Sequence, residues 1–131
     1  MADPMLAFIS EPLVDPKRIG ALLGVIKPEA LHRTIDAFRE AIEERAAQIR
    51  VALSDGQHTD AIRLAHSIKG VSVNFGAARL GAISSKMESL LNDGNIAAAA
   101  TLVDDLEDIA RDTAAALDRV QDEIGKSAER D

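Results

Sequence analysis

Residues 64–77, with the sequence LAHSIKGVSVNFGA, contain the pattern around which the chain is organised. Read as an α-helix, this stretch places its large apolar side chains on one side. Those side chains are Leu64, Ile68, Val71 and Phe75. With 3.6 residues per turn, His66 lies about 160° from Ile68 and therefore points away from the apolar side. The pattern predicts a helix that buries one face and presents a histidine on the other.

Gly70 stands one helical turn after His66, inside an otherwise good helical pattern. A glycine in a helix interior costs about 1 kcal/mol relative to alanine, so its presence needs a reason. At this position it leaves the imidazole without a covering side chain. We therefore hypothesise that another protein must approach His66 closely.

Other residues on the outward side of this helix fit that hypothesis. Ile62 and Val73 are aliphatic where water would favour polar residues, which indicates a docking patch beside the histidine. Lys69 could reach an anion held on His66, although taken alone it is an ordinary solvated lysine. Arg63 could add positive potential near the site, or could equally be surface charge.

The remaining sequence predicts further helices. Asp15-Pro16 is a helix start signal, because aspartate accepts hydrogen bonds from free backbone N–H groups and proline suits the first turn. Helix ends are indicated by Pro28 and by the Asp-Gly pairs at 55–56 and 93–94. The predicted helices span about residues 15–27, 28–53, 59–75, 80–91 and 96–124.

These helices predict an all-α fold. Four substantial helices joined by short turns favour an up-down antiparallel four-helix bundle, with a short extra N-terminal helix. The domain is expected to span residues 15–125, between an N-terminal arm at 1–14 and a frayed C-terminal tail at 126–131. Ser72 falls on the buried side of its helix, where a small residue allows close helix packing.

Composition excludes several classes of function. The 131 residues, of which 47% are hydrophobic, suffice for one folded domain. The net charge of −7 disfavours binding to nucleic acid or anionic membranes, and only 2% of residues are aromatic, which argues against ring-lined ligand pockets. The lack of cysteine excludes disulfides, zinc–thiolate sites and cysteine nucleophiles. Without a secretory signal or a membrane-spanning run, a soluble cytoplasmic protein is expected.

The surroundings of His66 limit its chemistry. A metal site needs further ligands at helical spacing, and no histidine or carboxylate stands four residues from His66, so no metal is expected. A Ser-His-Asp hydrolase needs an oxyanion hole and a pocket, which a narrow aliphatic bundle does not readily offer. A neutral imidazole nitrogen can accept a phosphoryl group, and a nearby lysine can neutralise the added oxygens. Because no glycine-rich nucleotide loop is present, the phosphoryl group must come from another protein, and no cofactor is expected.

At these residues the sequence resembles the histidine-containing phosphotransfer (HPt) family of bacterial phosphorelays. It is also similar to the phosphoacceptor domain of chemotaxis kinases, which shares the His-Ser-Ile-Lys-Gly core. The matching residues are Ala65, His66, Ser67, Ile68, Lys69, Gly70, Ser72, Gly76, Ala77, Leu80, Met87 and Glu88.

The resemblance implies a role for each residue of the site. His66 would be phosphorylated on its distal ring nitrogen by a receiver-domain aspartyl phosphate and would pass the group to another receiver. Lys69 would stabilise the phosphoryl oxygens, and Gly70 would give the receiver steric access. Glu88 matches the position of a Glu or Gln that can hydrogen-bond the other ring nitrogen, although it could equally be a solvated helix carboxylate.

The expected partners are receiver domains of response regulators, of hybrid histidine kinases, or of both. The sequence shows no ATP-binding or kinase dimerisation segment, so we interpret the protein as a monomeric phosphocarrier and not as an autonomous kinase or other enzyme. Two alternatives stay open. One is a non-catalytic helical adaptor that binds receiver domains, and the other is a metal- or ligand-binding bundle, which would need inward carboxylates and histidine pairs.

Overall fold

A computed structural model describes the backbone of residues 12–130 and the side chains of that range except at positions 16, 23 and 124–130. Its helices are α1 (Pro16–Leu23), α2 (Pro28–Ser54), α3 (His58–Asn74), α4 (Ala78–Asn92), α5 (Ile96–Ala100) and α6 (Val103–Arg130). No strand occurs in this range. The predicted all-α class is therefore confirmed.

The four long helices form a closed bundle. Helix α2 packs against α3 and α6, and α4 packs against α3 and α6, so each long helix has two long neighbours. Connections of three residues join α2 to α3 and α3 to α4, which makes these neighbours antiparallel. The predicted up-down four-helix bundle is confirmed, with α1 as the short extra N-terminal helix.

Helix α1 begins as predicted but ends earlier. The Asp15 carboxylate accepts a hydrogen bond from the Lys17 backbone N–H at 2.9 Å, which caps the helix. The sequence predicts an end near Lys27, whereas the helix ends at Leu23 and Gly24 caps it. Pro28 disfavours a helical conformation at Lys27 (φ −69°, ψ 149°), and the earlier end of α1 coincides with Gly24, a poor helix former.

The segment before α1 is joined to the bundle. The backbone N–H of Arg79 in α4 donates to the carbonyl of Pro12 at 2.9 Å, and Val14 packs against the core. Gly76 in the α3–α4 turn has a φ of +63°, and a Cβ at this position would lie 2.5 Å from the Cβ of Asp15. Of the predicted arm at 1–14, residues 1–11 lie outside the described residues.

The last predicted helix is two helices, so that prediction was wrong. A turn at Thr101 and Leu102 separates α5 from α6, and the Thr101 hydroxyl donates to the Ala98 carbonyl at 2.6 Å. The hydrophobic pattern of the sequence does not reveal this break, because Ala99, Leu102 and Leu106 are all buried and keep the spacing of one continuous helix. At its other end α6 continues to Arg130, beyond the predicted end at Ile124, through residues that are mostly good helix formers.

The core is aliphatic. Its largest fully buried side chains include Ile35, Ile42, Ile49, Ile68, Leu80, Ile83, Met87, Leu106, Ile109 and Leu117. Burying one such side chain contributes about 1.5–3 kcal/mol. The rings of Phe38 and Phe75 stack with their centroids 4.4 Å apart, which joins α2 to the end of α3. The apolar side predicted for α3 is therefore the side that meets the core.

Small residues bring α3 and α4 close together. Ser72 is buried and its hydroxyl donates to the Ile68 carbonyl at 2.7 Å. A Cβ at Gly81 would lie only 3.5 Å from the Cβ of Ser72, so the two helices nearly touch here. The predicted packing role of Ser72 is confirmed. This close approach decides which side chains of α4 can reach the outward side of α3.

Candidate functional site

His66 stands near the middle of α3, and 71% of its side chain is exposed. The helical wheel of the sequence predicts this orientation, and the structure confirms it. Ile68, two residues further on, is completely buried, so the helix separates the histidine from the core. The imidazole is therefore accessible to another molecule.

Glu88 of α4 holds one nitrogen of this imidazole. Its Oε2 lies 2.6 Å from Nδ1 of His66, while only 15% of the Glu88 side chain is exposed. A carboxylate at this distance accepts a hydrogen bond, which assigns the proton of the neutral ring to Nδ1. The lone pair is then on Nε2, the nitrogen distal to the helix. Such a nitrogen is a nucleophile near neutral pH.

Lys69 contacts the same carboxylate. Its Nζ donates to Oε1 of Glu88 at 3.3 Å, and 41% of the lysine side chain is exposed. Glu88 therefore bridges His66 through one oxygen and Lys69 through the other. The sequence placed Lys69 beside His66 but did not predict that Glu88 binds both residues.

Gly70 borders open space. A Cβ built at this position meets no atom within 4 Å, and the backbone has no positive φ there. The packing of this chain therefore does not require a glycine at position 70. The observation agrees with the hypothesis that a glycine is needed here so that a partner protein can approach His66.

The predicted docking patch is only partly exposed. Val73 is 62% exposed, as expected. Ile62, in contrast, is half-buried and packs against the core, so its expected exposure was wrong. Its angle does not explain the difference, since Ile62 and the exposed Val73 lie at about 120° and 140° from Ile68; Ile62 is half-buried because it packs against the core.

Arg63 is exposed and forms an ion pair with Asp60 one turn earlier on α3. No contact of its side chain with His66 or Glu88 is found among the described residues, so its partner-binding role stays a prediction. Within the same part of the chain, no group of three or more potential metal ligands occurs. No described helix combines the length and the apolar character needed to cross a membrane.

A shallow groove between α3 and α4 continues from the site and was missed by the sequence reasoning. Its lining includes Lys69, Val73, Gly76, Gly81 and Ser85. Small residues on the α3-facing side of α4 were the available signal. The groove lies directly beside the Lys69–Glu88 pair, so a molecule that contacts His66 can also contact Val73.

Comparisons with known proteins agree on one family. Residues 33–124 match the family model described as the Hpt domain. The chain is also similar to the crystal structure of histidine-containing phosphotransfer protein B (HptB) from Pseudomonas aeruginosa PAO1, with a TM-score of 0.80 and 24% sequence identity. That match covers 87% of this chain and 98% of HptB, and it shows a shared fold. No curated protein matches the sequence.

Proposed function

Because the chain belongs to the Hpt domain family and is a histidine phosphotransfer protein of phosphorelays, we propose that His66 is the residue that carries the phosphoryl group. The observation that carries this proposal is the 2.6 Å contact between Glu88 and Nδ1, since it leaves Nε2 unprotonated on an exposed face. His32 and His58 lie at other positions of the bundle, and neither has a described carboxylate contact of this kind.

The proposed reaction is a direct exchange of one bond for another. The Nε2 lone pair attacks the phosphorus of an aspartyl phosphate on a receiver domain. The P–N bond forms as the P–O bond to the aspartyl group breaks, and the aspartate leaves as a carboxylate. Because Nε2 carries no proton, none has to be moved: the ring keeps Nδ1–H and gains a positive charge beside the Glu88 carboxylate. The reverse reaction with a second receiver passes the group on.

Lys69 and Gly70 assist this exchange in different ways. The ammonium group of Lys69 lies one turn from His66 and can neutralise the phosphoryl oxygens as they arrive. The open space at Gly70 allows the receiver to bring its aspartate to Nε2. Val73 provides apolar contact beside the site, and Ile62 and Arg63 stay candidates for receiver contact.

Hpt domains interact with receiver domains in phosphorelays and are phosphocarriers rather than kinases. For this chain, we infer receivers of response regulators or hybrid histidine kinases as partners, a monomeric state, and a cytoplasmic location. Any Mg²⁺ needed for the reaction would be held by the receiver. The non-catalytic adaptor has no observation in its favour among the described residues.

The proposal is tested by incubating the protein with a phosphorylated receiver domain. The wild-type protein should acquire an acid-labile, base-stable phosphate, and His66→Gln should abolish it. His32→Gln serves as the matched control and should retain the label. A His66→Gln protein that is still fully labelled would refute the assignment.

A further inference from the structure

We propose that Glu88 also acts after phosphorylation: its carboxylate keeps the proton on Nδ1 of phosphorylated His66, so that the imidazole can leave as a neutral group. This inference rests on the proposed role of His66. Its basis is the 2.6 Å contact between Oε2 of Glu88 and Nδ1, made by a carboxylate that is only 15% exposed. Glu88 acts through the ring and is therefore a positioning residue.

The proton on the ring decides how easily the P–N bond breaks. As the aspartate of a second receiver bonds to phosphorus, the electrons of the P–N bond return to Nε2. A ring that carries Nδ1–H is a cation before this step and leaves as neutral imidazole. A ring without that proton would have to leave as the imidazolate anion, a much stronger base and a poorer leaving group. Loss of the Nδ1 proton therefore stores the phosphoryl group, and its retention allows onward transfer.

An ionised carboxylate is suited to hold this proton because it only accepts hydrogen bonds. The protonated ring gains an ion pair with Oε2 of Glu88, whereas a ring that had lost the proton would turn the Nδ1 lone pair toward an anion. Shielding of the carboxylate from water strengthens both effects. The other oxygen, Oε1, accepts from Nζ of Lys69 at 3.3 Å, so a cation also balances the charge of this carboxylate.

The other charged groups on the elements around His66 are common to the wild type and to a Glu88 variant. Lys69 contacts Glu88 directly and needs a separate test. Arg63 is paired with Asp60, and Lys86 is exposed about 160° from Glu88 around α4. The carboxylates of α2 that line the groove beside Ser67 are those of Glu44 and Asp55. A difference between the two proteins that persists without Lys69 therefore reports on the Glu88 carboxylate.

Glu88→Gln removes the charge and keeps the shape. Its amide oxygen can still accept from Nδ1–H, but its amide N–H can instead donate to an Nδ1 that has lost the proton. A nearby opposite charge moves a titration by about one to three pH units, and the lower end applies because 71% of the His66 side chain is exposed. We therefore expect the phosphorylated ring of Glu88→Gln to lose its proton about one pH unit lower than that of the wild type.

The experiment titrates the phosphorylated proteins by ¹⁵N NMR after the receiver has been removed, which reads the Nδ1 proton of His66 directly. Wild type and Glu88→Gln are compared with Lys69→Ala and with the double variant. The Glu88→Gln shift should be equal in both backgrounds, because the carboxylate acts on the ring itself. Glu40→Gln removes an exposed carboxylate from α2 and should titrate like the wild type. Circular dichroism verifies that all variants keep their helix content.

Onward transfer to a fresh receiver, measured by rapid quench across the same pH range, tests the consequence. Above both titration midpoints, Glu88→Gln should transfer severalfold more slowly than the wild type. Below both midpoints it should be no slower, because both rings are then protonated. The pH dependence of the receiver is common to both proteins and cancels in their ratio.

Three outcomes would overturn the inference. The NMR midpoint could be unchanged or higher in Glu88→Gln, or its shift could disappear in the Lys69→Ala background. The transfer rate of Glu88→Gln could also be reduced by the same factor at every pH, which would assign Glu88 a purely structural role. An unlabelled wild-type protein would instead refute the proposed function, so the two failures are distinguishable.

Discussion

Charged side chains connect α2 to α6 and α3 to α4, and the carboxylates at these two seams differ in burial. At the α2–α6 seam, Arg50 forms hydrogen bonds with Asp104 and Glu107, which raise the pKa of the Arg50 guanidinium above its ordinary value. Asp104 is 85% exposed, whereas Glu88 at the α3–α4 seam is 15% exposed.

Because of this difference in burial, the ionic contacts at the two seams have different roles. An exposed ion pair is screened by water and contributes little, so the α2–α6 contacts bring two helices together without preparing any group to react. At the α3–α4 seam, the small residues Ser72 and Gly81 allow the helices to approach, and Glu88 is shielded. A shielded carboxylate orients His66 more strongly than an exposed one could.

The largest expected effect comes from separating α3 and α4. Gly81→Leu would force a bulky side chain against Ser72 and displace Glu88 from His66, because the Cβ alone lies 3.5 Å from its neighbour. We expect phosphotransfer to slow by about 100-fold, the order of loss that a misplacement of about 1 Å can cause. Rapid-quench transfer from a phosphorylated receiver measures it.

Gly81→Ala is the matched control, since 3.5 Å is an ordinary van der Waals distance. It should transfer at nearly the wild-type rate. A fast Gly81→Leu protein with intact helix content would show that close packing of α3 and α4 is not what prepares His66.

The second prediction compares the transfer rate after removal of one cation from each seam. Lys69→Ala should slow transfer by about tenfold, because a charge-assisted contact from this partly exposed lysine to the phosphoryl oxygens is worth about 1.5 kcal/mol, the lower end of the usual range. Its stability should fall by less than about 1 kcal/mol, since the ion pair is partly exposed. Single-turnover transfer and urea denaturation measure the two quantities.

Arg50→Ala removes the corresponding cation of the α2–α6 seam and should leave transfer unchanged. If both variants slowed transfer equally, the difference between the seams would have no functional meaning. A large loss of stability in Lys69→Ala with normal transfer would also contradict the proposed role.

A smaller effect is expected for Gly70→Ala. Gly70→Ala should stabilise the protein by about 0.5–1 kcal/mol, because the added Cβ meets no atom and alanine is the better helix former. The same substitution should weaken receiver binding severalfold, and Gly70→Leu should abolish it. Thermal unfolding and titration with a receiver measure these opposite changes.

Ala115→Leu adds comparable bulk to an exposed position of α6 and should not affect receiver binding. Tight receiver binding by Gly70→Leu would refute the steric argument for the glycine.

The smallest expected effect concerns the exposed valines. Val73→Ser should weaken receiver binding by about three- to fivefold, which corresponds to roughly 1 kcal/mol of lost apolar burial. Val51, which is 59% exposed on α2, provides the control Val51→Ser. Isothermal titration calorimetry measures the receiver affinity of both variants. Equal losses of affinity would show that the receiver does not prefer the α3–α4 side.

Most helix boundaries were predictable because they depend on local signals. Asp15 caps α1, and the turns after α2 and α4 fall at the predicted Asp-Gly pairs. The separation of α5 from α6 was not predictable from periodicity, because buried residues keep helical spacing across the turn. The half-burial of Ile62 was also missed, because a wheel shows the angle of a side chain but not how closely a neighbouring helix approaches.

By itself, the sequence determined the helix that buries Ile68, turns His66 outward and leaves it bare at Gly70, because helical period and glycine chemistry act within a few residues. Only the tertiary structure decided which nitrogen of His66 is available and which group holds Lys69. Both depend on Glu88, which is 22 residues away from His66 and reaches it only because Ser72 and Gly81 bring α3 and α4 together. A hydrogen bond forms only over a range of a few tenths of an ångström in donor–acceptor distance. The distance between His66 and Glu88 is set by the packing of α3 against α4.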